Sequence, residues 1–451
     1  MIHANINRGL GCLSIILAFG ACADETVSLG GGRVSQEIQR GPRCSDSPVI
    51  SGSVRVTSQT ELDELAGCEA IDGDLHVEIF AGADLSPLAS LRSVDGLLEL
   101  GAFPATPEEG VDTAEVDAID ERIEQVVADG YLPSLRGLES LERVASLDIY
   151  FIAAEDLSPL LALRELNGPD GSLPDGFVGI HDTNLRTLHG LENVEGIQHL
   201  VLSDNLELES LSGIALGPSL VNINLIDSPK LTSIAELAPV TQAFTLYLSN
   251  LGVTDLESLQ NLAVVESGIS LTGNANLVDV ERLAGVSTES LIINENPALT
   301  SIPALREMWF LESFTVVGNP ELQSINIDLP QHGGGPDAIQ DSLLVDPIKV
   351  IDIGRNDKLT QVSLTAGLEQ GRFLAIYANP ALERVALGSL TRLESLSVTG
   401  NPSLTSLDPG ALQTVESLSV IDNPSLDTAP LGAIRTFEST LGNVEEPAAA
   451  P

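Results

Sequence analysis

Few side chains in this sequence occur at the spacings that enzymes use. Three of its six histidines, His181, His189 and His199, could meet on adjacent turns of a repeated structure and hold a metal ion. Isolated polar residues on a surface explain these positions better. The chain lacks the motifs Gly-x-Ser-x-Gly and His-Glu-x-x-His, a glycine-rich phosphate loop and the calcium loop Asp-x-Asp-x-Asp-Gly. We therefore predict a protein that is not an enzyme and that uses no metal or cofactor.

One acidic, glycine-rich segment, Asp170 to Asp175, could bind a hard cation through two carboxylates and backbone oxygens. Turns rich in aspartate and glycine acquire this composition by chance as well. The sequence alone therefore leaves calcium binding open.

The N-terminal segment has the composition of an export signal and leads to Cys22. Arg8 precedes an apolar run from Leu10 to Phe19, which is too short to span a bilayer as a mature helix, and small residues lead to Cys22. This segment resembles a bacterial lipoprotein signal peptide, although Phe19 stands where the lipobox usually has an aliphatic residue. The resemblance implies lipidation of Cys22 and an outer-membrane or cell-surface location. An ordinary secretory signal that is cut nearby is the alternative.

Two further cysteines, Cys44 and Cys68, remain as a pair once Cys12 is assigned to the signal segment. A disulfide between them would close a loop of about 25 residues and stabilise the fold by roughly 3 kcal/mol. Metal-ligating thiols are the alternative, but no further cysteine or paired histidine lies near enough to complete four ligands.

Asparagines recur in one hydrophobic frame, in most cases 22 or 23 residues apart. In Leu393-x-x-Leu396-x-Val398-x-x-Asn401-Pro402, apolar residues two apart predict a strand, and the asparagine can satisfy backbone groups in the turn that follows. Thr183, Ser228 and Leu251 occupy the same position in other repeats, and Asn250 could compensate for Leu251. The predicted structural asparagines are Asn205, Asn274, Asn296, Asn319, Asn356, Asn379, Asn401 and Asn423.

The N-terminal part of the chain has the same period. Gly52, Gly73 and Gly96 recur 21 and 23 residues apart, each within an alternating apolar pattern. One such unit cannot bury its own apolar side, but stacked copies share a continuous core. We therefore predict a solenoid.

The repeats resemble the receptor L domain, a leucine-rich-repeat relative found in receptor ectodomains and bacterial surface proteins. The resemblance rests on the Cys44 and Cys68 pair, on Ile71-Asp72-Gly73-Asp74-Leu75, on Asp84-Leu85-Ser86-Pro87-Leu88 and on Leu91-x-x-Val94. It extends over residues 44–435. It implies an α/β repeat fold, namely a right-handed leucine-rich-repeat solenoid dominated by a parallel β-sheet.

The remaining segments complete the domain organisation. We predict a signal peptide at 1–21, a flexible tether at 22–43 and a disordered tail at 436–451. Insertions are expected at about 101–134, 165–179 and 328–347. The first should contain one amphipathic helix, because Asp112-x-x-Glu115 is typical of a helix start and Gly130 of a helix end.

Charge restricts the partners. With 21 basic and 65 acidic residues, the formal net charge of −44 repels phosphate backbones and anionic lipid, so we predict no nucleic-acid binding and membrane contact only through the N-terminal lipid. The acids are scattered, which favours a role in solubility over recruitment of a cationic partner or Ca²⁺.

If the leucines face inward, the residues between them form an open sheet surface of hydroxyl and amide groups. Tyrosine on such a surface combines contact area with a hydrogen-bonding tip. We predict a monomeric binding or adhesion module for a protein or glycan ligand. A structural envelope spacer without a ligand is the alternative, because Ser and Thr also suit any exposed sheet. The candidate ligand-binding residues are Asn222, Asn224, Tyr247, Asn294 and Tyr377.

Overall fold

The structure is a computed structural model that describes residues 44, 47–78, 80, 82–102, 132–166, 176–306, 308, 311–328, 348–364 and 370–442. In these ranges the chain winds as a solenoid, and each turn, here called a rung, adds to one parallel sheet. None of the described helices is long and apolar enough to cross a membrane.

The large sheet holds nineteen of the described strands, and each rung pairs in parallel with the rung that follows. Its strands are β1 (Val49–Ser51), β2 (Val54–Val56), β3 (Ala70–Asp72), β4 (Leu75–Glu78), β5 (Ser93–Ala102), β6 (Arg143–Tyr150), β7 (Glu165–Leu166), β8 (Phe177–His181), β9 (His199–Ser203), β10 (Ser219–Ser228), β11 (Gln242–Leu251), β12 (Val264–Thr272), β13 (Ser287–Asn294), β14 (Ser313–Val317), β16 (Ile348–Gly354), β18 (Gln370–Tyr377), β20 (Arg392–Thr399), β22 (Thr414–Ile421) and β23 (Arg435–Gly442).

Four short strands form a second parallel sheet in the C-terminal rungs, after the turn that follows each main strand. They are β15 (Ser324–Ile327), β17 (Gln361–Leu364), β19 (Arg384–Ala386) and β21 (Ser406–Asp408).

Helical structure is scarce among the described residues. One short α-helix, α1 (Gln59–Asp63), begins after the N-cap Ser58. The other helical segments are single 3-10 turns at Ser86–Leu88, Ser158–Leu160, Ala235–Leu237, Glu257–Leu259, Glu281–Gly285 and Ala429–Ala433.

The core runs along the whole solenoid, because each strand turns its alternate apolar residues inward. In β10, Leu220, Ile223 and Leu225 are buried, whereas Asn222 and Asn224 between them are partly exposed. The next rung continues the pattern in register, with Ile223 beside Leu246. Full burial of one such side chain stabilises the fold by about 1.5–3 kcal/mol. The structure thus confirms the predicted leucine-rich-repeat-like solenoid dominated by a parallel sheet.

The turn after each main strand needs a left-handed residue immediately before the asparagine position. Most of these residues are not glycine, and a non-glycine residue in this conformation costs about 1–3 kcal/mol unless its surroundings hold it there. Aspartate and asparagine tolerate this conformation better than most residues. The left-handed residues are Phe151, Asp182, Asp204, Asp227, Asn250, Gly273, Glu295, Gly318, Arg355, Ala378, Gly400 and Asp422, with φ from 47° to 74°.

Several predicted segments fall outside the described residues. These are the signal peptide, the tether, the helix predicted between Asp112 and Gly130, and most of the three insertions. The predicted disordered tail is wrong in its first part, because β23 continues to Gly442 and pairs with β22 over its length. The composition of the tail predicts disorder, but the backbone of β22 supplies hydrogen-bond partners that order this segment as a strand.

Candidate functional site

The asparagine positions form a buried row along the solenoid, here called the asparagine ladder. Asn296 is representative: its Oδ1 accepts from the backbone N–H of Asn274 at 3.1 Å, and its Nδ2 donates to the Leu271 carbonyl at 3.0 Å. Its own backbone N–H donates to Asn319 Oδ1 at 3.0 Å. Each such side chain therefore joins neighbouring rungs and satisfies backbone groups that a turn leaves unpaired.

The ladder is interrupted where the asparagine is replaced. Ser228 Oγ donates to the Ile226 carbonyl at 3.2 Å, while Leu251 contributes only its backbone N–H, which donates to Asn274 Oδ1 at 2.9 Å. Asn250 was expected to compensate for Leu251, but it does not. Its Nδ2 donates to Asp227 Oδ1 at 2.7 Å, so it joins two side chains at the left-handed position.

The outward side chains of the main strands form columns, because the parallel register places equivalent residues side by side. Five consecutive rungs, from β6 to β11, bring polar and aromatic residues together on this surface. We call this group the sheet-face patch; it consists of Asp148, Tyr150, Phe177, His181, His199, Ser203, Asn222, Asn224, Thr245 and Tyr247.

A line of polar contacts crosses the first three rungs of the patch, with hydrogen bonds at its two ends and a charge contact between Asp148 and His181. The Tyr150 hydroxyl donates to Asp148 Oδ2 at 2.9 Å, and Asp148 Oδ1 lies 3.3 Å from His181 Nε2. His181 Nδ1 lies 2.8 Å from Ser203 Oγ. Burial, followed by the charge of Asp148, raises the pKa of Tyr150, so this phenol stays protonated and acts as the donor.

Packing fixes the His181 ring in this position. The ring stacks on Tyr150 with centroids 4.6 Å apart and an interplanar angle of 20°, and the side chains of Asp148 and His181 are each only 13% exposed. Gly179 leaves the space in which the two side chains meet. A Cβ at position 179 would stand 2.3 Å from Asp148 Oδ1 and 2.9 Å from His181 Nε2, so an alanine there would separate them.

A second row of hydrogen bonds continues across β9, β10 and β11. His199 Nδ1 and Asn222 Nδ2 lie 2.9 Å apart, and Thr245 Oγ1 donates to Asn222 Oδ1 at 2.8 Å. Burial lowers the pKa of His199, which keeps the ring neutral and able to accept the amide hydrogen. The ring of Phe177 lies beside His199 with centroids 6.4 Å apart.

Asn224 and Tyr247 lie next to this row as register neighbours on β10 and β11. Asn224 Oδ1 is a buried atom without a hydrogen-bond partner among the described residues. Burial also raises the pKa of the half-buried Tyr247 phenol, so this side chain stays a neutral hydrogen-bond donor. Tyr247 can therefore donate a hydrogen bond to a bound molecule.

Three of the five predicted ligand-binding residues thus belong to the patch, and two do not. Asn294 uses its Oδ1 to accept from the backbone N–H of Val317 at 3.0 Å, so this amide has a structural partner. Tyr377 lies over Gly354, where a Cβ would stand 2.3 Å from its ring, and its pKa is raised by burial and by Asp352. Tyr377 therefore packs against the neighbouring strand, outside the patch.

The three histidines that could have met on adjacent turns contact different partners. His181 contacts Ser203, His199 contacts Asn222, and His189 pairs with Glu192. Across the ranges that the structure describes, no group of three or more His, Cys, Asp or Glu side chains is arranged to hold a metal ion. The Asp170 to Asp175 segment lies outside those ranges, as does Cys22.

Aspartates line the edge of the patch at the left-handed position. The neighbouring rungs partly remove the Asp182 carboxyl group from water. This burial, followed by the charge of Asp204, raises the pKa of Asp182 to about 7. The residue as a whole is exposed, so solvent screens much of the repulsion and its energetic cost is small.

The N-terminal rungs carry charge on the same face. Arg55 Nε donates to Glu78 Oε1 at 2.5 Å, and His76 Nδ1 lies 2.6 Å from Glu99 Oε2. At this end the sulfur atoms of Cys44 and Cys68 are in bonding contact, and their Cα atoms lie 5.0 Å apart, a separation that a disulfide spans.

No protein-family model matches the chain, and no curated protein matches it significantly. The solved structures to which it is similar include one described as the crystal structure of a TLR13–ssRNA13 complex. The two share 13% identity over 87% of this chain and 58% of that chain, with a TM-score of 0.26. This chain therefore spans less than two thirds of that protein, and a similarity of this size says nothing about function.

Proposed function

We propose that the chain is a binding module whose recognition site is the sheet-face patch. The observation that carries this proposal is the contiguity of its aromatic rings and hydrogen-bonding groups on five consecutive rungs. Aromatic rings with polar tips supply both contact area and hydrogen bonds to a ligand.

The electrostatics support an uncharged polar ligand. In the outward columns that pass through Asn222, Asn224 and Ile226, every residue from β9 to β14 is neutral, whereas the exposed Glu266 and Glu289 lie near the starts of β12 and β13. Hydroxyl, amide and phenol groups on a broad sheet match the hydroxyl groups and apolar ring faces of a neutral glycan. We therefore propose a neutral oligosaccharide as the ligand class, in preference to a protein.

Glycan-array binding of the purified chain, followed by titration of the best oligosaccharide, tests this proposal. Tyr247→Ala should weaken binding by about 2 kcal/mol, because an aromatic anchor is lost from the patch. Tyr377→Ala is the matched control: it removes the same side chain from the same sheet, outside the patch, and should leave affinity unchanged. Equal affinity of the Tyr247→Ala variant and the wild type would remove the patch from the proposal.

The structural spacer predicted as the alternative has its own support. Beyond the patch, the outward residues of β12, β20 and β22 are mostly serine and threonine, which suit an exposed sheet without a ligand. Absence of binding across the whole array would favour the spacer.

We also propose that the chain is displayed on a bacterial envelope through a lipid at Cys22, as the N-terminal pattern predicts. Release of a Cys22→Ser variant from the membrane fraction would support this location. An unmodified mass for the membrane-bound form would contradict it.

A further inference from the structure

We propose that Ser203 is an activated nucleophile that accepts an acyl group from an activated ester, with His181 as its general base and Asp148 as the positioning residue. This inference goes beyond the binding function and is independent of the ligand. It rests on the line of contacts from Asp148 through His181 to Ser203 across β6, β8 and β9.

Two hydrogen bonds and one charge contact define this line. Asp148 Oδ2 accepts from the Tyr150 hydroxyl, and its Oδ1, which accepts no hydrogen bond among the described residues, lies 3.3 Å from His181 Nε2. The negative charge of the carboxylate favours the tautomer of His181 with the proton on Nε2. Nδ1 is then an acceptor, and at 2.8 Å it receives the Ser203 hydroxyl proton. A carboxylate, an imidazole and a hydroxyl in this order can activate a serine.

Two features hold the imidazole in place. Tyr150 stacks on one face of the His181 ring, and the missing side chain at Gly179 lets the ring reach Asp148. Ser203 is partly exposed at the end of β9, so its oxygen is open to a reactant while the base beneath it is largely shielded.

Other serines at this register position lack the base. Ser249 occupies the same outward column two rungs further on, with Ile226 and Thr272 as its register neighbours. It has the backbone setting and partial exposure of Ser203 without an imidazole beside it in the register. Ser249 is therefore a matched control within the same chain.

The reaction proceeds in two balanced steps. Ser203 Oγ forms a bond to the acyl carbon, its proton moves to His181 Nδ1, and the ester C–O bond breaks as that proton passes to the leaving alkoxide. Water then attacks the acyl-serine, with His181 taking its proton and returning it to Ser203. The nearest following backbone N–H, that of Asp204, donates to the Ile226 carbonyl and cannot stabilise an oxyanion. The substrate class is therefore limited to esters with good leaving groups, such as aryl esters of small acids.

A fluorophosphonate probe tests the proposal on the full-length folded chain. Attack by Ser203 on phosphorus expels fluoride, and peptide mass analysis locates the added group. We expect labelling of Ser203 and not of Ser249. Labelling should disappear in Ser203→Ala, and the labelling rate should fall on the order of 100-fold in His181→Gln, which is the contribution expected of a general base. Ser249→Ala should label at the wild-type rate.

The variant Asp148→Asn provides a second measurement if His181→Gln does not fold, because it retains the imidazole but reverses the preference of its tautomer. Its labelling rate should also fall. A folded wild type that shows no label on Ser203, or a rate that is unchanged in both variants, overturns the proposal. Labelling is measured without any glycan, which separates failure of this inference from failure of the proposed binding function.

Discussion

Single residues determine how neighbouring rungs are joined. At the ladder positions the side chain replaces a backbone partner in the adjacent rung, while at position 179 the lack of a side chain allows Asp148 and His181 to meet. Both effects depend on residues with no charge and little hydrophobic surface. The asparagines contribute well-placed hydrogen bonds, and Gly179 contributes space.

We expect inward polar residues of the ladder to contribute more to the free energy of unfolding than outward polar residues of the sheet. Asn296→Ala removes the acceptor for the Asn274 backbone N–H and the donor to the Leu271 carbonyl, both of which are buried. We expect a loss of about 1–3 kcal/mol in the free energy of unfolding, measured by urea denaturation. Ser270→Ala, which shortens an outward side chain on β12, should change it by less than about 0.5 kcal/mol. Equal effects of the two substitutions would contradict the assigned orientation of the strand.

The sequence predicted the ladder but not the contact between Asp148, His181 and Ser203. Most of the asparagines recur 22 or 23 residues apart within the same hydrophobic frame, so the frame places them even across the insertion between Asn319 and Asn356. Asp148 and His181 are separated by an insertion that breaks the period, and their contact depends on the register that pairs Tyr150 with His181. No local pattern specifies that register, and Gly179 shows its role only when its neighbours are known.

Among the elements, the first rung differs most from the others. Its main strand is split into β1 and β2, as the second is into β3 and β4, but it alone among the described rungs is followed by an α-helix, α1. Ser58 caps α1 and Thr57 donates its backbone N–H to Glu61, so the Ser-x-x-Glu signal was present in the sequence although this helix was not predicted. The element was missed because a helix of five residues has no apolar period to detect.

The N-terminal rung should depend on the Cys44–Cys68 disulfide. The first rung has a neighbour on only one side, so restraint of its unfolded state contributes roughly 3 kcal/mol on the chain-entropy model. Reduction should speed hydrogen exchange in β1, β2 and α1 and leave β12 and β13 unchanged. A variant with serine at both positions is the control and should show the fast exchange without reductant. Uniform exchange in both redox states, or free thiols at both positions, would exclude this role.

Over the whole molecule, most described basic residues bind an acid on a nearby rung. Exposed pairs of this kind contribute little each. Examples are Arg186–Glu209, Lys230–Glu207, Lys358–Glu321, Arg372–Glu394 and Arg392–Glu416.

The excess of acids should dominate the response of this protein to salt. The acidic residues that give the chain its net charge of −44 repel one another in the folded protein. Raising the ionic strength shortens the Debye length and screens that repulsion. We expect the melting temperature to rise between 20 mM and 500 mM sodium chloride. Potassium chloride is the control and should give the same rise, because screening does not depend on the cation. A falling melting temperature would show that the ion pairs between rungs outweigh the repulsion.

The hydrogen bonds that backbone N–H groups donate to the asparagine ladder all run in one sense along the solenoid, whereas the Nδ2 groups donate in the opposite sense to carbonyls of the preceding rung. From Asn274 to Asn401, the backbone N–H at each position donates to the Oδ1 of the asparagine one rung closer to the C-terminus. Bonds in such a row polarise one another. The row is therefore directional, and its two ends are not equivalent. An inserted rung without an asparagine divides it into two shorter rows, which is the state that Ser228 and Leu251 already impose near its middle.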